Sequence, residues 1–290
     1  MRGGKIKMAL TAMKPILEEA KKRGYAAGAF TFCSLDSAYA IINAANSAKM
    51  PVILQAGPLE CDYAGIYELA GIAKFAAKRA IVPVALNLDH GDTADRAEQA
   101  IDAGFTSVMI DASKCVYGEN VRITKEVVKM AALSGVSVEA ELGKIGGAEG
   151  LIDLEDSGAS QTDPDEAADF ANRTKIDALA VAIGTAHGFY KSAPLLNIER
   201  LKKIACKTCV PLVLHGGSGT PDSQVREAIG AGITKVNICT EFLAAMGKAF
   251  AECQKAENFR YNYPALFEPA KDAGKALAYE KIKFFANGRV

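Results

Sequence analysis

The chain has 290 residues, 50% of them hydrophobic and 23% charged, which is the composition of a soluble globular protein with enough length for one large domain or two small ones. A net charge of zero without a basic cluster excludes an electrostatic footprint for nucleic acid. The apolar runs are short and broken by charge or glycine, which excludes a membrane span. Seven cysteines (33, 61, 115, 206, 209, 239 and 253) form no disulfide framework and favour reduced thiols in a cytoplasmic protein. Cys206 and Cys209 have C-x-x-C spacing, but no second pair accompanies them, so they read as a helix end entering a strand.

Residues 1–23 are basic, yet Glu18 and Glu19 fall in an amphipathic pattern and no apolar signal core follows, so this stretch reads as a first helix. From there short β-branched or alanine-rich runs alternate with helical patterns. The expected strands are Ala27–Phe32, Val52–Gln55, Val82–Asp89, Ser107–Asp111, Ser137–Gly143, Ala178–Gly184, Pro211–His215 and Lys235–Cys239. Helices are expected near 36–48, 64–79, 93–103, 119–133, 164–173, 196–205, 222–230 and 241–256, with a further C-terminal helix over about 265–284. Eight strand–helix units in one chain predict a (β/α)₈ barrel, an α/β fold occupying residues 1–290 as a single domain; a doubly wound sheet is the competitor.

The chain has three histidines, and each follows an apolar run: His90 after Val84–Asp89, His187 after Ala178–Ala186 and His215 after Leu212–Leu214. Any one alone reads as an ordinary core or loop histidine. Together they fall at the C-terminal ends of strands three, six and seven, where barrels carry their chemistry, and three imidazoles suffice to hold a catalytic zinc with one position open. The run Gly216-Gly217-Ser218-Gly219 follows strand seven, with Thr220 as an expected N-cap and Pro221 in the first helical turn. Backbone N–H groups there, and Thr240 as a cap after strand eight, suit a phosphate. Between Gly143 and Pro164 runs a loop of about 20 residues, long enough to act as a lid.

Taken together, Leu88-Asp89-His90, the stretch from Ser137 to Gly143 with Gly146, Gly147 and Glu149, Ala182–Gly188, Leu214–Ser218, Lys235–Thr240 and the tail Ala286–Arg289 resemble the class II, metal-dependent ketose-bisphosphate aldolases over nearly the whole chain. The tagatose-bisphosphate-like branch is the more similar, because strand eight ends Asn-x-x-Thr-Glu. The resemblance implies cleavage of a phosphorylated ketose, of fructose- or tagatose-1,6-bisphosphate type, to dihydroxyacetone phosphate and an aldehyde such as glyceraldehyde 3-phosphate. It implies Zn²⁺ on His90, His187 and His215 as Lewis acid, with Glu141 and Asp111 as supporting or alternative ligands. Asp89 would exchange the proton of the C4 hydroxyl, and Glu149, on the lid, the C3 proton. Gly188, Lys191, Gly216, Gly217, Ser218, Asn237 and Thr240 would hold the dihydroxyacetone phosphate end, with Na⁺ or K⁺ near the Gly216–Ser218 carbonyls. Arg260 would reach a second phosphate from a neighbouring subunit of a homodimer or homotetramer.

Three positions depart from the family pattern. Phe30-Thr31 stands where many relatives read Phe-Asn, Ala56-Gly57-Pro58 where they carry a serine just past Gln55, and Cys239 where Asp or Ala is common. All three lie toward the aldehyde half of the substrate. They leave open the same chemistry on another phosphorylated sugar or keto acid. A metal-dependent hydrolase and a non-catalytic zinc- or phosphate-binding barrel are the readings outside this class.

Overall fold

The expected alternation closes into a ring of parallel strands. The computed structural model describes residues 10–145, 160–188, 190, 192–255 and 262–288. The strands are β1 (Ala27–Thr31), β2 (Val52–Ala56), β3 (Val84–Gly91), β4 (Ser107–Ile110), β5 (Ser137–Leu142), β6 (Ala178–Val181), β7 (Leu212–Leu214) and β8 (Ile233–Ile238). Each pairs in parallel with its sequence neighbour, and β8 closes on β1 through registers such as Ala29 opposite Asn237. Both faces of such a sheet are covered, which is why the strands read as nearly unbroken apolar runs rather than alternating ones.

The helices are α1 (Met13–Arg23), α2 (Leu35–Ala48), α3 (Pro58–Ala64), α4 (Ile66–Ala77), α5 (Ala94–Ala103), α6 (Tyr117–Ser134), α7 (Pro164–Thr174), α8 (Ile198–Lys207), α9 (Asp222–Gly230), α10 (Thr240–Gln254) and α11 (Tyr263–Phe285). Their starts are written locally: the side chains of Ser34, Thr93 and Asp163 accept the first free N–H groups of α2, α5 and α7. The additional C-terminal helix is α11, packed along α2 and α10. Among the described residues no helix is long and apolar enough to cross a membrane.

Two cores result. The larger fills the shell between strands and helices, with Phe30, Phe105, Phe170 and Phe242 at 1% exposure or less. The smaller lies inside the barrel, where Met13, Ile16 and Leu17 of α1 meet Ala27, Ala29, Ile53, Ala85, Ala178, Ala180 and Val213. Alanine on the inner face leaves room for α1, so this end is plugged and the opposite end is left for polar groups.

Several boundaries differ from expectation for identifiable reasons. The helix expected near 64–79 is α4, which starts only after Gly65, whose φ of 86° suits glycine and not an L side chain; α3, just before Gly65, was not expected. Strand β3 continues through His90 to Gly91 with a register shift after Leu88. Strand β6 stops at Val181 rather than Gly184, so His187 lies farther out on the loop beyond it. Thr220 is not the N-cap of α9, a place taken by Pro221; its hydroxyl donates to the Gly216 carbonyl at 2.9 Å instead. Thr240 is likewise the first residue of α10 rather than its cap, which is Cys239.

Candidate active site

Parallel strands in a closed barrel present all their C-terminal ends at one rim, so residues far apart in sequence meet there. The rings of His90 and His187 lie 4.8 Å apart between centroids, those of His90 and His215 4.6 Å and those of His187 and His215 5.9 Å. One nitrogen from each falls within 4.8 Å of the others. His90 takes up a φ of 46°, a left-handed conformation uncommon for a residue with a side chain, and one concentrated at functional sites.

The outward nitrogens of two rings are occupied by carboxylates. His215 Nε2 lies 2.9 Å from Glu139 Oε1, and His90 Nδ1 lies 3.1 Å from Asp111 Oδ2. Donation on those sides leaves a lone pair on His215 Nδ1 and another on His90 Nε2, and these two atoms face each other at 2.9 Å. Two lone pairs at that distance repel unless a cation sits against them, so the donor set fits a divalent metal. Glu141 adds to it: its Oε2 is buried without a hydrogen bond, 3.6 Å from His215 Nδ1. Glu139 also receives Lys235 Nζ at 2.7 Å, in an ion pair that is fully buried.

Electrostatics follow from these placements. Burial, the largest cause, holds the His215 imidazole well below the ordinary histidine range, so His215 stays neutral. Burial drives the Glu141 carboxyl up to about 8, with Asp111's charge in the same direction, against opposition from His90 and from hydrogen bonds of Ser113 and Ile145. For Asp111 burial also pushes upward, but the hydrogen bond of His90 and two bonds from Ser113 act against it, and the carboxyl lies far below its usual range.

Asp89 stands next to His90 at 1% exposure. Gln55 Nε2 donates to its Oδ2 at 2.9 Å, and Asn237 Nδ2 approaches its two oxygens at 3.1 and 3.2 Å. Gln55 also reaches Thr31 Oγ1 at 3.3 Å. Asn237, expected at the dihydroxyacetone phosphate end, turns its Nδ2 to Asp89 and leaves its Oδ1 buried without a hydrogen bond. An aspartate held by two amides keeps one orientation, as a proton-transfer group requires.

The glycine-rich turn is tied to both neighbouring strands. Gly217 donates its N–H to Asn237 O at 3.1 Å, and a Cβ on Gly217 would lie 2.6 Å from Val236 Cγ1 and 2.7 Å from Asn237 O, so only glycine fits. Gly219 N–H goes to Glu241 Oε1 at 2.6 Å, and Ser218 Oγ accepts the N–H of Glu241 at 3.2 Å. Gly216 has φ 64° and its Cα packs against Ala186 of the preceding loop. Tyr190 joins the same two loops: its hydroxyl accepts Ala186 N–H and donates to Gly216 O, both at 2.9 Å. Gly188 and Thr240 lie at this rim on the loop after β6 and the start of α10. Glu149, Lys191 and Arg260 lie outside the described residues, as does the stretch 146–159 of the expected lid.

Glu139, Lys235 and Gln55 went unrecognised as site residues in the sequence. A signal was present: Glu139 and Glu141, Lys235 and Asn237, and Asn87 and Asp89 are polar pairs two apart within otherwise apolar strands, the spacing that puts both members on one face.

Comparison with known proteins agrees with this geometry. The family model for class-II fructose-bisphosphate aldolase matches residues 11–288. The chain is 44% identical over 282 residues to the 6-phospho-5-dehydro-2-deoxy-D-gluconate aldolase of Halalkalibacterium halodurans, with 96% of each chain covered. It is 42% identical over 283 residues to a fructose-bisphosphate aldolase of Geobacillus stearothermophilus, covering 97% of this chain and 98% of that one. Among solved structures, the YdjI aldolase from Escherichia coli K12 superposes with a TM-score of 0.86 at 36% identity, covering 97% of this chain and 99% of that one.

Proposed function

The chain belongs to the class II fructose-bisphosphate aldolase family, metal-dependent lyases that split a phosphorylated ketose by aldol cleavage, and from that premise we propose how its own residues divide the work. His90, His187 and His215 hold a divalent ion, zinc by the preference of three imidazoles, with Glu141 in reserve. When bound, that ion supplies a Lewis acid for the C2 carbonyl of the ketose. Glu139 and Asp111 keep His215 and His90 in the tautomers that turn their lone pairs inward. Burial of His215 excludes the proton that would compete for that lone pair.

In cleavage, Asp89 takes the proton of the C4 hydroxyl while the C3–C4 bond breaks, and in condensation it returns that proton. Gln55 and Asn237 hold its carboxylate in place through that transfer. Charge left on the dihydroxyacetone phosphate carbons is quenched by a proton at C3, for which Glu149 is the proposed donor. The dihydroxyacetone phosphate end is bound by Gly188, Lys191, Gly216, Gly217, Ser218, Asn237 and Thr240, on the turn after β7, on β8 and on the neighbouring loops. A Na⁺ or K⁺ at the Gly216–Ser218 carbonyls would have to displace the Tyr190 and Thr220 hydroxyls from the Gly216 oxygen. The observation that carries the reading is the convergence of three buried or half-buried imidazoles beside the amide-held Asp89.

The proposal extends to a single barrel domain that works as a cytoplasmic homodimer or homotetramer, with Arg260 reaching the substrate of a neighbouring subunit. All seven cysteines are free thiols, which supports a reducing compartment. The test uses dihydroxyacetone phosphate alone in D₂O, following loss of the C3 proton signal by NMR with and without chelator. Chelator-sensitive exchange is expected; no exchange by the folded, zinc-loaded protein overturns the reading.

A further inference from the structure

We propose that Asn87, which has no part in the mechanism above, is a positioning residue for Asp89 and acts through a buried water beneath that carboxylate. The inference rests on the aldolase reading for the role of Asp89, and on the geometry of the barrel interior for the rest. Asn87 lies on β3 two residues before Asp89, so the two side chains share one side of the strand. That side is the interior, because Ala85, two residues earlier again, belongs to the inner core. Across the ladder Asn87 is the register partner of Gln55, whose Nε2 holds Asp89 at 2.9 Å.

Asn87 is fully buried, and neither its Nδ2 nor its Oδ1 has a hydrogen bond. Two further orphaned atoms belong to the amides that hold Asp89: Gln55 Oε1 and Asn237 Oδ1, in residues at 0% and 3% exposure. Buried amide groups are seldom left in this condition. The set is one NH₂ group and three carbonyl oxygens, and its members do not bond one another. One water meets it with the three bonds usual for a buried water: it accepts from Asn87 Nδ2 and donates to Gln55 Oε1 and Asn237 Oδ1. A second water donates to Asn87 Oδ1. A cation suits the place less well, because Lys235 already stands in the interior two residues before Asn237, and its charge is matched by Glu139 at 2.7 Å.

The consequence for Asp89 follows from the symmetry of an amide. Its NH₂ and oxygen ends are nearly equal in size, and only the NH₂ end is attracted to a carboxylate. Water bound to Gln55 Oε1 and Asn237 Oδ1 secures the far ends of both amides, so both N–H ends stay on Asp89. Asn87 fixes the water in turn, since a water that accepts from Nδ2 has both hydrogens free for the two oxygens. One buried side chain thereby sets two amides, and through them the group that exchanges the C4 proton.

The test has a structural and a kinetic arm, both on the zinc-loaded protein. A high-resolution crystal structure of wild type is expected to show a water within hydrogen-bond distance of Asn87, Gln55 and Asn237. Side chains bonded to one another there, with no water among them, overturn the inference. Asn87→Leu keeps the approximate shape and removes the donor. It is expected to lower kcat by about tenfold to a hundredfold, with KM little changed, for condensation of dihydroxyacetone phosphate with glyceraldehyde or glyceraldehyde 3-phosphate, whichever wild type turns over faster. Asn87→Ser restores a donor and is expected to recover most of that loss. Wild-type kcat in Asn87→Leu, a change confined to KM, or an equal loss in Asn87→Ser each overturns the assignment. If Asn87→Leu does not fold, the water in wild type decides. Exchange of the C3 proton of dihydroxyacetone phosphate needs no C4 hydroxyl and is expected to persist in every variant. Its absence in wild type fails the aldolase reading, whereas its loss in Asn87→Leu alone overturns this one.

Discussion

Asn237, on the last strand of the barrel, turns its side-chain amide onto both carboxylate oxygens of Asp89, on the third strand, at 3.1 and 3.2 Å. With Gln55 on the other side, Asp89 is oriented from two directions before any substrate arrives. Replacing Asp89 by Asn removes the proton acceptor and keeps the shape. Carbon–carbon cleavage should fall by about 10²–10⁴, the worth of a positioned general base, while exchange of the C3 proton of dihydroxyacetone phosphate persists. Loss of both reactions together would assign Asp89 to the enediolate step instead.

Glu139 stands between His215 and Lys235, and the two bonds carry different consequences. Glu139→Gln should weaken zinc binding about 10–100-fold in a chelator competition, because the amide no longer fixes the imidazole tautomer. Zinc affinity equal to wild type would remove Glu139 from the metal centre.

Lys235→Met breaks the same buried pair from the other end and leaves Glu139 charged at 0% exposure. Removing one partner of a buried pair costs about 3–5 kcal/mol, which denaturant titration at neutral pH should report as lost stability. A variant as stable as wild type would mean that His215 alone suffices for Glu139.

The chelated protein should have a pH dependence that singles out Glu141. Its carboxyl, raised by burial to about 8 from an ordinary 4.5, stabilises the fold fully below pH 4.5 and loses that contribution as pH rises through 8. His215, lowered by burial from 6.5, acts oppositely: its contribution is present above pH 6.5 and lost as pH falls. The two oppose each other below pH 6.5, so the window from 6.5 to 8 isolates Glu141. Wild type should lose stability across it at no more than about 1.4 kcal/mol per pH unit, and Glu141→Gln should not. Parallel profiles for the two proteins would contradict this.

Tyr190→Phe frees the Ala186 N–H and the Gly216 carbonyl together, loosening the turn proposed to hold phosphate. Two hydrogen bonds of about 0.5–1.5 kcal/mol each predict a roughly tenfold rise in KM for the ketose phosphate, with a smaller change in kcat. A fall confined to kcat would place Tyr190 in the chemistry rather than in binding.

The barrel was legible because its signals are local. Apolar runs and amphipathic helices repeat along the chain, and a parallel βα alternation places every strand end at one rim. That rule alone puts His90 and His215 together, and the motif around them led to Asp89. Boundaries were less legible where one residue's backbone decides: Gly65 separates α4 from the unexpected α3, and His90 prolongs β3 in a left-handed conformation that no periodicity announces.

What the linear order of residues determined, then, was the barrel, the rim and the three imidazoles on it. Only the tertiary structure decided what each polar group faces. Glu139 meets Lys235 across a separation of 96 residues, Asp89 meets Asn237 across 148, and Tyr190 meets Gly216 across 26. The physical reason is that a strand's period of two says which side chains point inward, but not which of them meet. That is fixed by closure of the ring and by the register between strands. In a buried polar interior, closure also sets which carboxylate meets a cation, as Glu139 meets Lys235, and which carboxylate oxygen is left without a hydrogen bond, as with Glu141 Oε2.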